Sequence, residues 1–68
     1  MTLNKLSIVV AAYNEEVNLP ILYERIKATC ERMAIEWELV VVDDHSADRT
    51  WAILQDLAAG DSRVWAYR

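Results

Sequence analysis

Two apolar runs constrain what this chain can fold into more than any other feature of its sequence. Leu6 to Ala12 and Trp37 to Val42 are both rich in β-branched residues, and a polar cluster follows each of them. Runs of this kind are typical of strands that are covered on both faces of a sheet. They start about 30 residues apart, which is the spacing of two parallel strands joined by a crossover helix. The pattern therefore predicts a parallel α/β sheet.

The segment between the two runs has the periodicity of a helix. From Asn18 onward, apolar residues recur at three- and four-residue steps, which places them on one helix face. These residues are Leu19, Leu22, Tyr23, Ile26, Cys30 and Met33. Asn18 is the expected N-cap of the helix. Cys30 is expected to be a small buried side chain rather than a reactive thiol.

A second helix is expected from Arg49 to Ala59. Ser46 or Asp48 can cap its N-terminus, and Gly60 is a suitable residue just beyond its C-terminus. Its buried face would hold Ile53, Leu54, Leu57 and Ala58.

A third short strand is expected from Arg63 to Tyr67. Its alternation would place Val64 and Ala66 on one face of the sheet and Trp65 and Tyr67 on the other. The predicted order is β-α-β-α-β, which is half of a doubly wound, Rossmann-like domain.

The composition excludes several classes of protein. One cysteine and one histidine among 68 residues can form neither an internal disulfide nor a zinc site. A net charge of −4 provides no positive field for nucleic acid. The longest apolar run is far shorter than the roughly 20 residues that cross a membrane. Its position after Lys5 would also allow a secretory signal, but it suits a first buried strand better.

Polar clusters follow both predicted strands at their carboxyl ends, which is where parallel sheets bind ligands. The first cluster runs from Ala11 to Glu15 and contains Tyr13, and the second begins with Asp43 and Asp44. Sequential parallel strands are usually neighbours, so the clusters should lie side by side. A tyrosine ring can stack on a base, and a carboxylate can accept a hydrogen bond from uracil or guanine. The two clusters together suit a nucleotide base.

The same residues allow other interpretations. Tyr13 could pack in its loop while the two aspartates cap the next helix, or adjacent carboxylates could hold Mg²⁺, although two ligands are too few to define a site. Asp44, His45 and Ser46 cannot form a catalytic triad, because consecutive residues cannot place one base between a nucleophile and an orienting acid. His45 is instead expected at positive φ in a tight loop. A single glycine excludes the glycine-rich phosphate loops.

The two clusters and their context resemble the inverting family 2 glycosyltransferases with the GT-A fold. That family has a strand ending in Pro-x-Tyr-Asn-Glu, a helix opening with Asn-Leu, and a strand ending in Asp-Asp-Gly-Ser-x-Asp-x-Thr. This chain reads Ala11-Ala12-Tyr13-Asn14-Glu15, then Asn18-Leu19, then Asp43-Asp44-His45-Ser46-Ala47-Asp48-Arg49-Thr50. Ala11 stands where the family has proline, and His45 where it has glycine. Asn18-Leu19-Pro20 and the segment from Ala58 to Val64 are similar to polyprenyl-phosphate sugar transferases related to dolichol-phosphate mannose synthase.

The resemblance implies that residues 1–68 are the N-terminal nucleotide-binding portion of a GT-A domain, cut before its metal-binding Asp-x-Asp and its acceptor region. It implies a UDP- or GDP-sugar donor and an acceptor such as a polyprenyl phosphate. Ala11, Tyr13, Glu15, Asp43 and Asp44 would bind the nucleotide, with Asp44 contacting the base and Asp43 shaping the strand end. No catalytic residue or metal ligand is assigned in this chain. A divalent metal, Mg or Mn, is expected only for the full-length enzyme, and the 68 residues alone are expected to be inactive.

Two alternative functions remain open, and the full-length protein has an expected location. Paired acids after a strand also resemble the start of signalling receiver domains, but there the pair ends the first strand, and here a strand-helix unit precedes it. A non-catalytic remnant is the other alternative, and a three-stranded parallel sheet is expected to self-associate because it leaves surface uncovered. The full-length protein is expected at the cytoplasmic face of a membrane, which it would contact only through downstream segments.

Overall fold

The computed structural model describes residues 5–68, so the first four residues of the predicted unit lie outside the described residues. Its elements, in chain order, are β1 (Lys5–Ala12), α1 (Asn18–Arg32), β2 (Glu36–Asp43), α2 (Thr50–Gly60) and β3 (Val64–Tyr67). This order confirms the predicted β-α-β-α-β architecture. Several element ends differ from the prediction by a single residue, as in α2, which begins at Thr50 instead of Arg49.

The three strands form one parallel sheet with β2 in the centre. The order is β1-β2-β3, and the register pairs Ala12 with Asp43 and Leu39 with Val64. Both crossovers advance across the sheet in the same direction, and right-handed crossovers of that kind place their helices on the same face. Helices α1 and α2 accordingly contact each other as well as β2.

The core lies between this sheet face and the two helices. Leu39 and Val41 of β2 and Leu54 of α2 are fully buried there. Around them lie the remaining buried apolar residues: Ala12, Leu19, Tyr23, Cys30, Trp37 and Val64. The expected burial of Cys30 is therefore confirmed, whereas Met33 lies beyond the end of α1 and is exposed.

The opposite face of the sheet has no helix over it in residues 5–68. The expectation that β1 is covered on both faces is wrong here, because Val9 points away from the helices and is 70% exposed. The apolar side chains of this face, which we call the open sheet face, are Val9, Ala11, Val40, Val42, Trp65 and Tyr67. The predicted alternation of β3 is confirmed, with Val64 buried and Trp65 exposed.

Two expected helix ends are wrong in detail. Asn18 is the first residue of α1 rather than its N-cap, and its side-chain amide donates a hydrogen bond to Glu15 Oε2 at 2.9 Å. Gly60 is the last residue of α2 and does not have a positive φ. The helix ends without a left-handed residue because the Asp61 amide donates to the Leu57 carbonyl while Asp61 itself is extended.

A polar cluster beside β3 joins α1 to the sheet. Arg63 donates to both carboxylate oxygens of Asp61 at 2.9 Å, and the Tyr23 hydroxyl donates to Asp61 at 2.6 Å. The Arg63 guanidinium also lies over the Trp37 ring, 4.3 Å from its centre. The hydrogen bond from Arg63 holds the pKa of Asp61 well below its usual range, and the hydrogen bond to Asp61 raises the pKa of Tyr23. Neither helix of the described residues has the length and apolar content to cross a membrane.

Candidate functional site

The carboxyl ends of β1 and β2 lie side by side, as the sequence predicted. We call residues 13–17, which follow β1, the first loop and residues 44–49, which follow β2, the second loop. Ala12 and Asp43, the last residues of the two strands, are register partners. The Asp44 amide then donates to the Ala12 carbonyl at 2.9 Å, which extends the pairing past the strand end. Tyr13 and Asp44 therefore leave the sheet from adjacent positions.

Asn14 holds the two loops together. Its backbone amide donates to Ser46 Oγ at 2.9 Å, and its side-chain Oδ1 accepts from the Ala47 amide at 2.8 Å. Asn14 has φ of 51°, a left-handed conformation that asparagine tolerates better than most residues because its short side chain bonds nearby backbone. Oδ1 also accepts from the Asp48 amide at 3.4 Å, so Asn14 supplies both the sharp turn of the first loop and three bonds to the second.

Glu15 and Glu16 add two further bonds between the loops. The Glu15 amide donates to Thr50 Oγ1 at 2.8 Å, and the Glu16 amide donates to Asp48 Oδ2 at 3.3 Å. Asp48 Oδ1 accepts from the Thr50 amide at 2.9 Å. Asp48, one of the two caps expected from the sequence, therefore satisfies an N-terminal amide of α2. Desolvation opposes ionisation of Asp48, but hydrogen bonds from Thr50 and Glu16 outweigh it and lower the pKa of Asp48.

The two adjacent aspartates lie in opposite environments. Asp43 is 1% exposed, and its Oδ1 accepts from both the amide and the hydroxyl of Ser46. Its Oδ2 faces Arg68, whose Nε lies 3.3 Å away. Asp43 is therefore occupied inside the protein, where it fixes the start of the second loop.

Asp44, in contrast, points to solvent. Its side chain is 83% exposed, and among residues 5–68 its carboxylate makes no hydrogen bond and approaches only His45, with Oδ1 3.7 Å from Nδ1. An exposed pair of this kind contributes little to stability. His45 has φ of 56°, which confirms the expected positive φ. Since Asp48 serves α2, the interpretation that Asp43 and Asp44 merely cap this helix does not describe the structure.

An open cleft lies beside the end of β1 and the start of the first loop. Tyr13 is 59% exposed, and Ala11 is also exposed, on the side of β1 that belongs to the open sheet face. The half-buried Glu15 accepts from Asn18 through its carboxylate. Ala11, Glu15 and Asn18 line a cleft of about 240 Å³ beside the end of β1. Tyr13 and Asp44 are thus both exposed at adjacent strand ends, and Ala11 and Glu15 line a cleft beside the end of β1.

Two other features bear on what the site can bind. Within residues 5–68, no cluster of three or more His, Cys, Asp or Glu side chains could hold a metal ion. A larger groove of about 400 Å³ lies at the opposite end of the strands, where Lys5, Trp37 and Arg63 line it. Parallel sheets bind ligands at the carboxyl ends of their strands, so this second groove is not the expected site.

Sequence reasoning did not assign roles to several residues that build the site. Asn14 and Thr50 bond across the loops, and Arg68 faces Asp43. The signal for the first two was present, because both lie in the segments that carry the family resemblance. Nothing in the sequence pattern pointed to Arg68, since its contact depends on where β3 ends relative to the second loop.

The sequence of this chain is similar to those of known proteins. A model of "Glycosyl transferase family 2" matches residues 7–68. Among similar curated proteins, undecaprenyl-phosphate 4-deoxy-4-formamido-L-arabinose transferase of Pectobacterium carotovorum subsp. carotovorum (strain PC1) is 40% identical over 57 residues, covering 84% of this chain and 17% of that protein. The transferase of the same name from Pseudomonas fluorescens (strain SBW25) is 46% identical over 55 residues, or 81% of this chain and 16% of that protein.

A third relative of that name, from Photorhabdus laumondii subsp. laumondii, is 46% identical over 52 residues, which cover 76% of this chain and 16% of that protein. The chain spans about a sixth of the length of the curated relatives it matches. The family match over residues 7–68 includes both loops.

Proposed function

Because the chain belongs to glycosyl transferase family 2, we propose that it holds the nucleotide of a sugar donor at the ends of β1 and β2. The observation that carries the proposal is the contrast between two neighbouring carboxylates. Asp43 is buried and bonded to Ser46, whereas Asp44 is exposed at the strand end adjacent to Tyr13, which is also exposed. A carboxylate and an aromatic ring without structural tasks of their own are the groups that recognise a base.

Each proposed contact has a distinct chemical role. The Tyr13 ring stacks on the base, and the Asp44 carboxylate accepts hydrogen bonds from it. Ala11 and Glu15 line the adjoining cleft, and Asp43 acts through Ser46 by holding the turn that presents Asp44. The donor is a UDP- or GDP-linked sugar, since uracil offers an imide N–H and guanine offers an N–H and an amino group to a carboxylate.

The acceptor that we propose is a polyprenyl phosphate. The support comes from the relatives, which are named as undecaprenyl-phosphate transferases and align with most of this chain. The part of the chain that the structure describes has no cluster of three or more His, Cys, Asp or Glu side chains that could hold a metal ion. A divalent cation that offsets the diphosphate charge would require ligands from other residues. The cytoplasmic face of a membrane as the place of this reaction stays a prediction.

Titration of UDP and GDP against the 68-residue chain tests the proposal. Tyr13→Ala is expected to weaken binding roughly ten-fold, because stacking on an aromatic ring contributes about 1–3 kcal/mol per base. Tyr13→Phe keeps the ring and is expected to bind like the wild type. Asp44→Asn is expected to cost about ten-fold, the scale of one hydrogen bond to a charged group.

The matched control for Asp44→Asn is Asp56→Asn, which removes the same charge from an exposed position on α2. Its affinity for both nucleotides should equal that of the wild type. Undetectable binding by the wild-type chain, or equal affinities for the wild type, Tyr13→Ala and Asp44→Asn, would contradict the proposed site.

A further inference from the structure

Arg68 follows β3 and reaches the buried carboxylate at the end of β2. The Asp43 side chain is fully buried, and Ser46 satisfies only its Oδ1. Oδ2 is buried without a hydrogen-bond partner among the described residues, yet Arg68 Nε lies 3.3 Å from it. The N–H direction does not suit a hydrogen bond, so the contact is ionic. A buried carboxylate is unfavourable without a compensating charge, and Arg68 provides one.

The same guanidinium contacts the far side of the turn. Arg68 Nη2 donates to the Ser46 carbonyl at 3.2 Å, and the guanidinium carbon lies 5.6 Å from the centre of the Trp51 ring. Arg68 therefore connects Asp43 and Ser46, the residues that flank the two-residue turn of Asp44 and His45. A planar guanidinium can make several directed contacts at once, which a lysine ammonium cannot do in the same geometry.

Backbone and Ser46 bonds hold the two ends of this turn, but no side-chain bond within residues 5–68 holds its two central residues. The Asp44 and His45 side chains are both exposed, and His45 is in a left-handed conformation that is unfavourable for a residue with a side chain. The direction of the Asp44 carboxylate thus depends on how its backbone is held at Asp43 and Ser46. We propose that Arg68 is a positioning residue for nucleotide binding, which holds the Asp44 turn in place through Asp43 and Ser46. This inference rests on the proposed function.

A double-mutant cycle between Arg68 and Asp44 tests the inference by measuring UDP and GDP affinity. Arg68→Gln alone is expected to weaken binding about ten-fold. In the Asp44→Asn background the same change should alter affinity less than about two-fold, because the group that it positions is already gone. Arg68→Lys keeps the charge and should recover part of the loss. Arg32→Gln, at the exposed C-terminal end of α1, is the matched control and should bind normally.

The outcomes separate the inference from the proposed function. An equal loss from Arg68→Gln in both backgrounds would mean a general structural effect and would overturn the inference, as would wild-type affinity in Arg68→Gln. If the wild type binds neither nucleotide, the proposed function fails. Amide NMR spectra of Arg68→Gln then test the remaining claim: the Asp44 and His45 signals should move and broaden, whereas unchanged signals would refute the turn-holding role of Arg68.

Discussion

Substitutions of Asn14 test most directly how the two loops are held together. Asn14 Oδ1 accepts from the Ala47 amide at 2.8 Å and, more weakly, from the Asp48 amide at 3.4 Å. Its backbone has φ of 51°. Substitution of Asn14 therefore removes both side-chain bonds between the loops, and it also changes the cost of a left-handed backbone. Glycine and alanine separate the two effects, because only glycine adopts this conformation without a steric penalty.

The expected losses follow from these two contributions. Asn14→Gly loses the side-chain bonds, which corresponds to about 1 kcal/mol of unfolding free energy. Asn14→Ala loses the same bonds and adds roughly 1 kcal/mol for a left-handed residue with a β-carbon, so about 2 kcal/mol is expected. In a chain of this size each kcal/mol lowers the melting temperature by about 4–8 °C.

Thermal and urea unfolding followed by tryptophan fluorescence measure both variants, with Asn18→Ala at the start of α1 as a control that leaves the inter-loop bonds intact. The expected order of stability is wild type, then Asn14→Gly, then Asn14→Ala. Equal stability of the wild type and Asn14→Ala would refute the reasoning, because neither the bonds nor the backbone conformation would then matter. If Asn14→Gly were less stable than Asn14→Ala, the argument from the left-handed conformation would be refuted, but the argument from the inter-loop bonds would not.

Three further predictions concern single residues. His45→Gly should raise the unfolding free energy by up to about 1 kcal/mol, since glycine removes the steric cost of φ at 56°; a loss of stability by urea titration would contradict this. Asp61→Asn should lower stability at neutral pH. The depressed pKa of Asp61 means that its contribution is present above pH 4 or so and is lost as the pH falls further; an acid-unfolding curve unchanged by Asp61→Asn would contradict that. Self-association is expected through the open sheet face, so Trp65→Lys should lower the sedimentation coefficient at high concentration without changing the circular dichroism; a monomeric wild type would refute it.

The fold could be predicted because local pattern and topology agree. The run from Leu6 to Ala12 contains no charged residue, and the run from Trp37 to Val42 contains only Glu38. The helical step of α1 is unbroken from Leu19 to Cys30. The right-handed rule then leaves few arrangements of three parallel strands. What the pattern could not predict was the coverage of β1. An apolar run such as that around Val9 indicates burial on both faces, but the burial of the outer face depends on elements that residues 5–68 do not supply.

The position of the candidate site was predictable from the sequence, but the roles of its residues were less so. Parallel register brings Ala12 beside Asp43, so adjacency of the two loops follows from topology. The burial of Asp43 and the exposure of Asp44 became clear only from the structure. Alternation along β2 directs the Asp43 side chain into the core and leaves the next residue outside. The contact of Arg68 with Asp43 depends on the relative ends of β2 and β3, which a sequence period does not encode.

Residue-by-residue NMR of the chain during titration with UDP and GDP tests the central claim most directly. We expect the amide signals of Tyr13, Glu15 and Asp44 to change, while those of Lys5 and Trp37 at the opposite groove stay where they are. Changes centred on Lys5 and Trp37, or none anywhere in the spectrum with either nucleotide, would contradict it.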